Sequence, residues 1–136
     1  MVLAPGAAGL AAVLAVAVLL TGCSRQGCGS GTDSAVDAVT GMLRAAEKGA
    51  RDEVCRFVPE SAGQVDQAVH RYTVLRQAIA RAGGIDRLAL RVDPSRQMGA
   101  EHTVLVSSAG SALAEFSVIG QSGRFLVYPE AIPPSP

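Results

Sequence analysis

The chain lacks an excess of charge of either sign: 12 Lys+Arg stand against 12 Asp+Glu in 136 residues. Nucleic-acid binders carry a basic excess or a basic stripe, so that class is disfavoured. Lysine is nearly absent, with Lys48 alone against a scatter of arginines that includes Arg44, Arg56, Arg71, Arg81, Arg91 and Arg124. Scattered cations of this kind read as a solvated face rather than a binding patch. Cys28 and Cys55 with two distant histidines show no zinc-ligand spacing. The sequence also has no Ser/His/Asp order, no phosphate-binding glycine loop and no internal repeat. No metal or cofactor is expected. The length suits one domain.

The hydrophobic residues are unevenly spread. From Val2 to Leu20 there is no charge, and "AAGLAAVLAVAVLL" has the length of a signal-peptide apolar region. It is at the short end for a membrane span of roughly 20 residues. The usual basic start is missing from "MVLAPGAAG", so either this is a weak signal or the true start lies elsewhere. The run ends in "LLTGCSR". Small residues before a cut suit the narrow groove of a signal peptidase. Leu20-Thr21-Gly22-Cys23 resembles the bacterial lipobox, and that resemblance implies a diacylglyceryl group on the Cys23 thiol and cleavage before it. Each buried methylene contributes roughly 0.8 kcal/mol of membrane affinity, so two or three acyl chains make a near-permanent anchor. The organisation expected is a signal peptide over 1–22, a lipidated flexible tether over 23–32, a domain over 33–129 and a disordered tail over 130–136. The chain would sit at the outer face of the bacterial cytoplasmic membrane, bound to it through lipid on Cys23. The Gly/Ser-rich "SRQGCGSGTDS" would lift the domain off the lipid. The other reading of the run is an uncleaved anchor with a chance cysteine.

Two thiols then remain in an oxidising compartment, and a Cys28–Cys55 disulfide is expected. It would pin the tether against the second helix and contribute about 3–4 kcal/mol on the chain-entropy estimate. Otherwise Cys55 is a small buried hydrophobe and Cys28 is idle.

Three helical patterns come first. Asp33 or Ser34 caps a helix to about Lys48, with Val36, Val39, Leu43 and Ala46 on one face. A short helix in "ARDEVCRFVPES" turns Val54, Phe57 and Val58 inward and stops at Pro59. The longest runs from Ser61 to Ala82, with a stripe through Val65, Val69, Tyr72, Leu75, Ile79 and Ala82, and "GG" ends it. The period then changes to two. "IDRLALRVD", "AEHTVLVSS", "LAEFSVIG" and "RFLVY" read as four strands joined by short turns. Elements segregated in this way predict an α+β domain, with three N-terminal helices packed on one face of a four-stranded curved antiparallel sheet.

Three stretches carry a wider resemblance: "AVDAVTGMLRAAEKGARDEVCRFVPES", the switch from helix to sheet, and "AEFSVIGQSGRFLVYP". Together they resemble the nuclear-transport-factor-two-like superfamily, the curved-sheet cone shared with ketosteroid isomerase and scytalone dehydratase. They resemble more closely the small bacterial lipoproteins of unknown function with a shortened form of that fold. Phe125 stands where the family usually has tryptophan. The resemblance covers Asp33 to Pro129 and implies a pocket between the helices and the concave face of the sheet.

Candidates for chemistry there are His70, His102, Glu101, Glu115, Tyr72 and Tyr128. A register set by a Ser108–Ser111 turn puts His102 opposite Ser117, with Glu115 its diagonal neighbour on the same face. Such a pair could do acid–base work in a small isomerase or dehydratase. It equally suits an exposed cross-strand pair, and His70 reads as a surface residue on a helix flank. The favoured expectation is a non-catalytic binding or accessory module for a partner protein or a small apolar ligand. The alternatives are the small enzyme using Glu115 and His102, or a purely structural envelope protein.

Overall fold

The structure is a computed structural model and describes residues 27–129. The expected signal peptide over 1–22, the expected lipidation at Cys23 and the expected tail over 130–136 lie outside the described residues. The described chain is α+β. Its elements are α1 (Ala35–Glu47), α2 (Arg51–Phe57), α3 (Ala62–Ala82), and then β1 (Ala89–Val92), β2 (Glu101–Ser108), β3 (Ser111–Gln121) and β4 (Arg124–Tyr128). The four strands form one antiparallel sheet in the order β1-β2-β3-β4, a plain meander. Among the described residues, no helix is long and apolar enough to cross a membrane.

Local chemistry explains the helix ends. Ser34 sits in extended backbone and its Oγ accepts the Asp37 N–H, which satisfies one of the unpaired donors of the first turn of α1. The short α2 ends at Phe57 because Val58 precedes Pro59 and is held extended. At the end of α3, Gly83 takes φ 100 and the Gly84 N–H closes back on the Ile79 carbonyl, which absorbs the last free acceptors of the helix.

The first strand is shorter than "IDRLALRVD" suggests. Ile85–Arg87 forms a 3₁₀ turn, and β1 begins at Ala89. Ile85 is 6% exposed and belongs to the core, so the chain turns to bury it before it extends. Period-two reading has no place for such a step. Buried residues of the helices (Ala38, Val39, Met42 and Leu43 of α1, Val54 of α2, Leu75 and Ile79 of α3) share one cluster with Val104, Val106, Phe116, Val118 and Val127 of the strands.

The stretch just before α1 is revised. A free spacer was expected as far as residue 32, but Gly29 to Thr32 are stitched to the domain. The Gly29 and Gly31 N–H groups donate to the Cys55 and Arg56 carbonyls, and Thr32 exchanges two backbone hydrogen bonds with Phe125 of β4. The reason is local. The last carbonyls of α2 and the outer edge of β4 both need partners, and this segment passes between them.

Candidate functional site

Both faces of the sheet follow from the strand register. In the pairing of β2 with β3, Val104 lies opposite Phe116 and Val106 opposite Ala114, but Ser107 lies opposite Ala112. Leu113 is therefore an extra residue, a β-bulge. The bulge sits one step from the turn at Ala109 and Gly110, whose φ values of 51 and 83 fit a tight two-residue hairpin. Beyond it the register is one residue away from the one the turn alone implies.

That shift corrects the acid–base pairing. His102 lies opposite Val118, not Ser117, and Glu115 lies opposite Leu105. Successive side chains alternate across a strand, so His102, Val104 and Val106 share a face with Ala114, Phe116 and Val118. This is the core face, since Val104, Phe116 and Val118 are at most 1% exposed. Glu101, Thr103, Leu105, Glu115, Ser117 and Ile119 project from the other face. Glu115 and His102 are thus separated by the sheet and do not meet. A visible signal existed. The straight register would set Val104 against Glu115, and the spacing of three from Leu113 to Phe116 breaks the period of two.

Each candidate now has a place. His102 ends the core-face row His102–Val118–Val127 and meets the Phe125 ring edge-on, with centroids 5.6 Å apart and planes at 67°. Phe125 pairs with Gly120, and a Cβ on Gly120 would lie 3.0 Å from the ring, so the glycine makes the space in which the ring reaches across to His102. Glu101 accepts a hydrogen bond from Ser117 Oγ at 2.7 Å on the outer face, where Ser117 is 9% exposed. Glu115 pairs at 2.7 Å with Arg96, and both side chains are well exposed. Exposed pairs of this kind contribute little to stability. Tyr128 pairs with Ser117 in register on the outer face. His70 is exposed on α3, as its position on the helix flank suggested. Tyr72 packs against the core. Burial, and next the nearby Glu47 carboxylate, push its phenol above the ordinary tyrosine range, while Arg76 acts the other way.

One residue that carries much of the local geometry was not singled out from the sequence. Arg71 of α3 lays its guanidinium 4.3 Å from the centre of the Phe116 ring. It donates to the Glu115 carbonyl at 2.8 Å and to the Pro129 carbonyl at 3.3 Å. Burial lowers its pKa below the ordinary arginine value. Arg71 thus ties α3 to the middle of β3 and to the residue that ends β4.

The two cysteines of the domain are joined. Cys28 and Cys55 form a disulfide across 27 residues of sequence with Cα atoms 4.6 Å apart, inside the range such bonds allow. Among the described residues, no group of three or more His, Cys, Asp or Glu side chains could hold a metal ion. Compared with protein-family models, with curated proteins and with solved structures, the chain matches none.

Proposed function

We propose that this chain is a lipid-anchored extracytoplasmic module that binds a partner protein without catalysing a reaction. The observation that carries the reading is Leu20-Thr21-Gly22-Cys23 at the end of an uncharged apolar run. The Cys28–Cys55 disulfide supports it, because such bonds persist in oxidising compartments and are rare in reducing ones. In this reading Cys23 carries the lipid and becomes the first residue of the mature chain. The membrane is one partner, met through that lipid at the outer face of the cytoplasmic membrane.

The domain fits a shortened nuclear-transport-factor-two-like cone, with the helices laid on the core face of the sheet. The shared cluster of helix and strand side chains supports that arrangement. Along β2 and β3 the core-face side chains Val104, Phe116 and Val118 are at most 1% exposed and belong to one cluster with the buried helix residues. A face occupied in this way favours a partner met at the surface over an apolar ligand enclosed within. The acid–base alternative loses its pair, because Glu115 and His102 lie on opposite faces.

Intact-mass spectra of the membrane-extracted protein, native and reduced, test the reading. The expected chain starts at Cys23, carries acyl mass and gains two hydrogens on reduction. A chain that keeps residues 1–22 and carries no lipid would remove the lipid-anchored module. Crosslinking in intact cells then tests the partner: a discrete adduct is expected, and its absence together with a normal lipid mass would leave the structural envelope reading.

A further inference from the structure

The segment 28–33 is a strap with two kinds of fastening. At its outer end Cys28 is covalently bound to Cys55, and the Gly29 N–H donates to the Cys55 carbonyl. At its inner end Thr32 forms a two-bond bridge with Phe125. Arg124 closes over this end, donating to the Ser30 and Gly31 carbonyls and pairing with Asp33. Gly31 fits because it has no side chain. Its φ is +70, and a Cβ there would lie 2.6 Å from the Phe125 carbonyl oxygen.

The strap therefore bonds the Phe125 backbone at the outer edge of β4, and the Phe125 ring meets His102 edge-on. His102 is the only ionisable side chain on the core face of β2 and β3. The lock on this arrangement is accessible, since Cys28 is exposed while Cys55 is half-buried.

We propose that the Cys28–Cys55 disulfide is a thiol-sensitive lock, and that a dithiol opens the strap and frees the Phe125 ring from its edge contact with His102. A thiolate of the dithiol attacks the Cys28 sulfur, and the Cys55 sulfur leaves and takes up a proton. The second thiol of the reagent then displaces Cys28 and closes a cyclic disulfide. Two electrons and two protons pass to the cysteine pair, and the reagent is oxidised. What then holds the strap to α2 is two backbone hydrogen bonds, from the Gly29 and Gly31 N–H groups to the Cys55 and Arg56 carbonyls, and the glycine-rich segment gains freedom that frays the bridge at Thr32. The proposal rests on described residues and stands whether or not Cys23 carries lipid.

The test uses the whole chain in detergent, oxidised and then treated with dithiothreitol, followed by amide hydrogen exchange and the imidazole proton resonances of His102. On reduction the Phe125 and Gly31 amides are expected to exchange at least about tenfold faster while Val104 and Val118 stay protected. The His102 resonances should move as the Phe125 ring current is lost. Gly31→Ala in the oxidised protein should produce the same His102 shift with the disulfide intact, because it pushes the strap off β4. Three results would overturn the proposal. One is free thiols in the isolated protein. Another is full reduction with unchanged Phe125 exchange and an unchanged His102 signal. The third is loss of protection at Val104 and Val118 along with Phe125, which would make the disulfide a staple of the whole domain rather than a lock on the strap.

Discussion

Helices α1 and α3 divide the work of the fold in a way their lengths do not suggest. The shorter, α1, has 13 residues and buries seven: Ala35, Ala38, Val39, Met42, Leu43, Ala45 and Ala46. The longer, α3, has 21 residues, and among its described side chains Ala68, Leu75 and Ile79 are buried. At 100° per residue the buried positions of α1 spread over an arc of about 160°, and those of α3 over about 40°. The first helix is thus enclosed on nearly half its circumference. The second rests on a narrow stripe and leaves Val74 67% exposed. A helix with so narrow a stripe needs other fastenings. In α3 these are the Arg71 contacts and the glycine closure at its end. The difference teaches that packing, not length, decides which helix the domain depends on.

The largest expected effect tests the enclosed side. Leu43→Ala removes a fully buried side chain from the middle of α1 and should cost about 2–5 kcal/mol of unfolding free energy. Denaturant titration followed by circular dichroism reads it. Leu75→Ala on α3, at 8% exposure, should sit at the low end of that range, and Val74→Ala should change stability by less than about 0.5 kcal/mol. A loss for Leu75→Ala equal to that for Leu43→Ala would break the comparison.

The next effect tests the fastening. Arg71→Met keeps the length of the side chain and its apolar stem but removes two hydrogen bonds and the cation over Phe116. The expected cost is about 1–3 kcal/mol, since hydrogen bonds to charged donors are stronger than neutral ones. Amide exchange should rise at the C-terminal end of β4 and in the middle of α3 before it rises in α1. Equal acceleration in both helices would mean that α3 is held by its stripe after all.

How much of this was legible follows from the range of each interaction. The three helices and the order of the strands could be read because each is set by local pattern, and the cysteine pairing was read by setting Cys23 aside at the end of the apolar run. Gly83-Gly84 ends α3 for a reason visible in two letters. The bulge at Leu113 was only half legible. The turn at Ala109-Gly110 fixes one register and the burial of Val104, Val106 and Phe116 demands another, and the extra residue reconciles them. The role of Arg71 was not legible at all. Its partners are the carbonyls of Glu115 and Pro129, 44 and 58 residues away, and backbone carbonyls leave no mark in a sequence. The strap was misread as a spacer for a related reason. Glycine and serine serve equally in a free tether and in a segment that must pass close to another backbone, and only the neighbour at Phe125 tells the two apart.

The smallest effect is the sharpest, because it compares the same residue type at the same position of the two helices. Ser34 and Ser61 both occupy the N-cap in extended backbone, with φ −140 and −150. Ser34 caps α1 through a 3.0 Å bond from the Asp37 N–H, whereas the Ser61 side chain makes no capping hydrogen bond. Ser34→Ala should therefore cost about 1 kcal/mol, and Ser61→Ala only a few tenths. Thermal unfolding of the two variants beside the parent decides it. In a domain of this size a loss of about 1 kcal/mol lowers Tm by roughly 4–8 °C, which separates the two clearly. If the two serines cost the same, the first turn of α3 gains as much from its cap as that of α1. The difference between the helices would then reduce to the width of their buried faces. If they differ as expected, α1 is fixed at its start as well as along its face, while α3 draws its order from Arg71 and from the glycine closure at its far end.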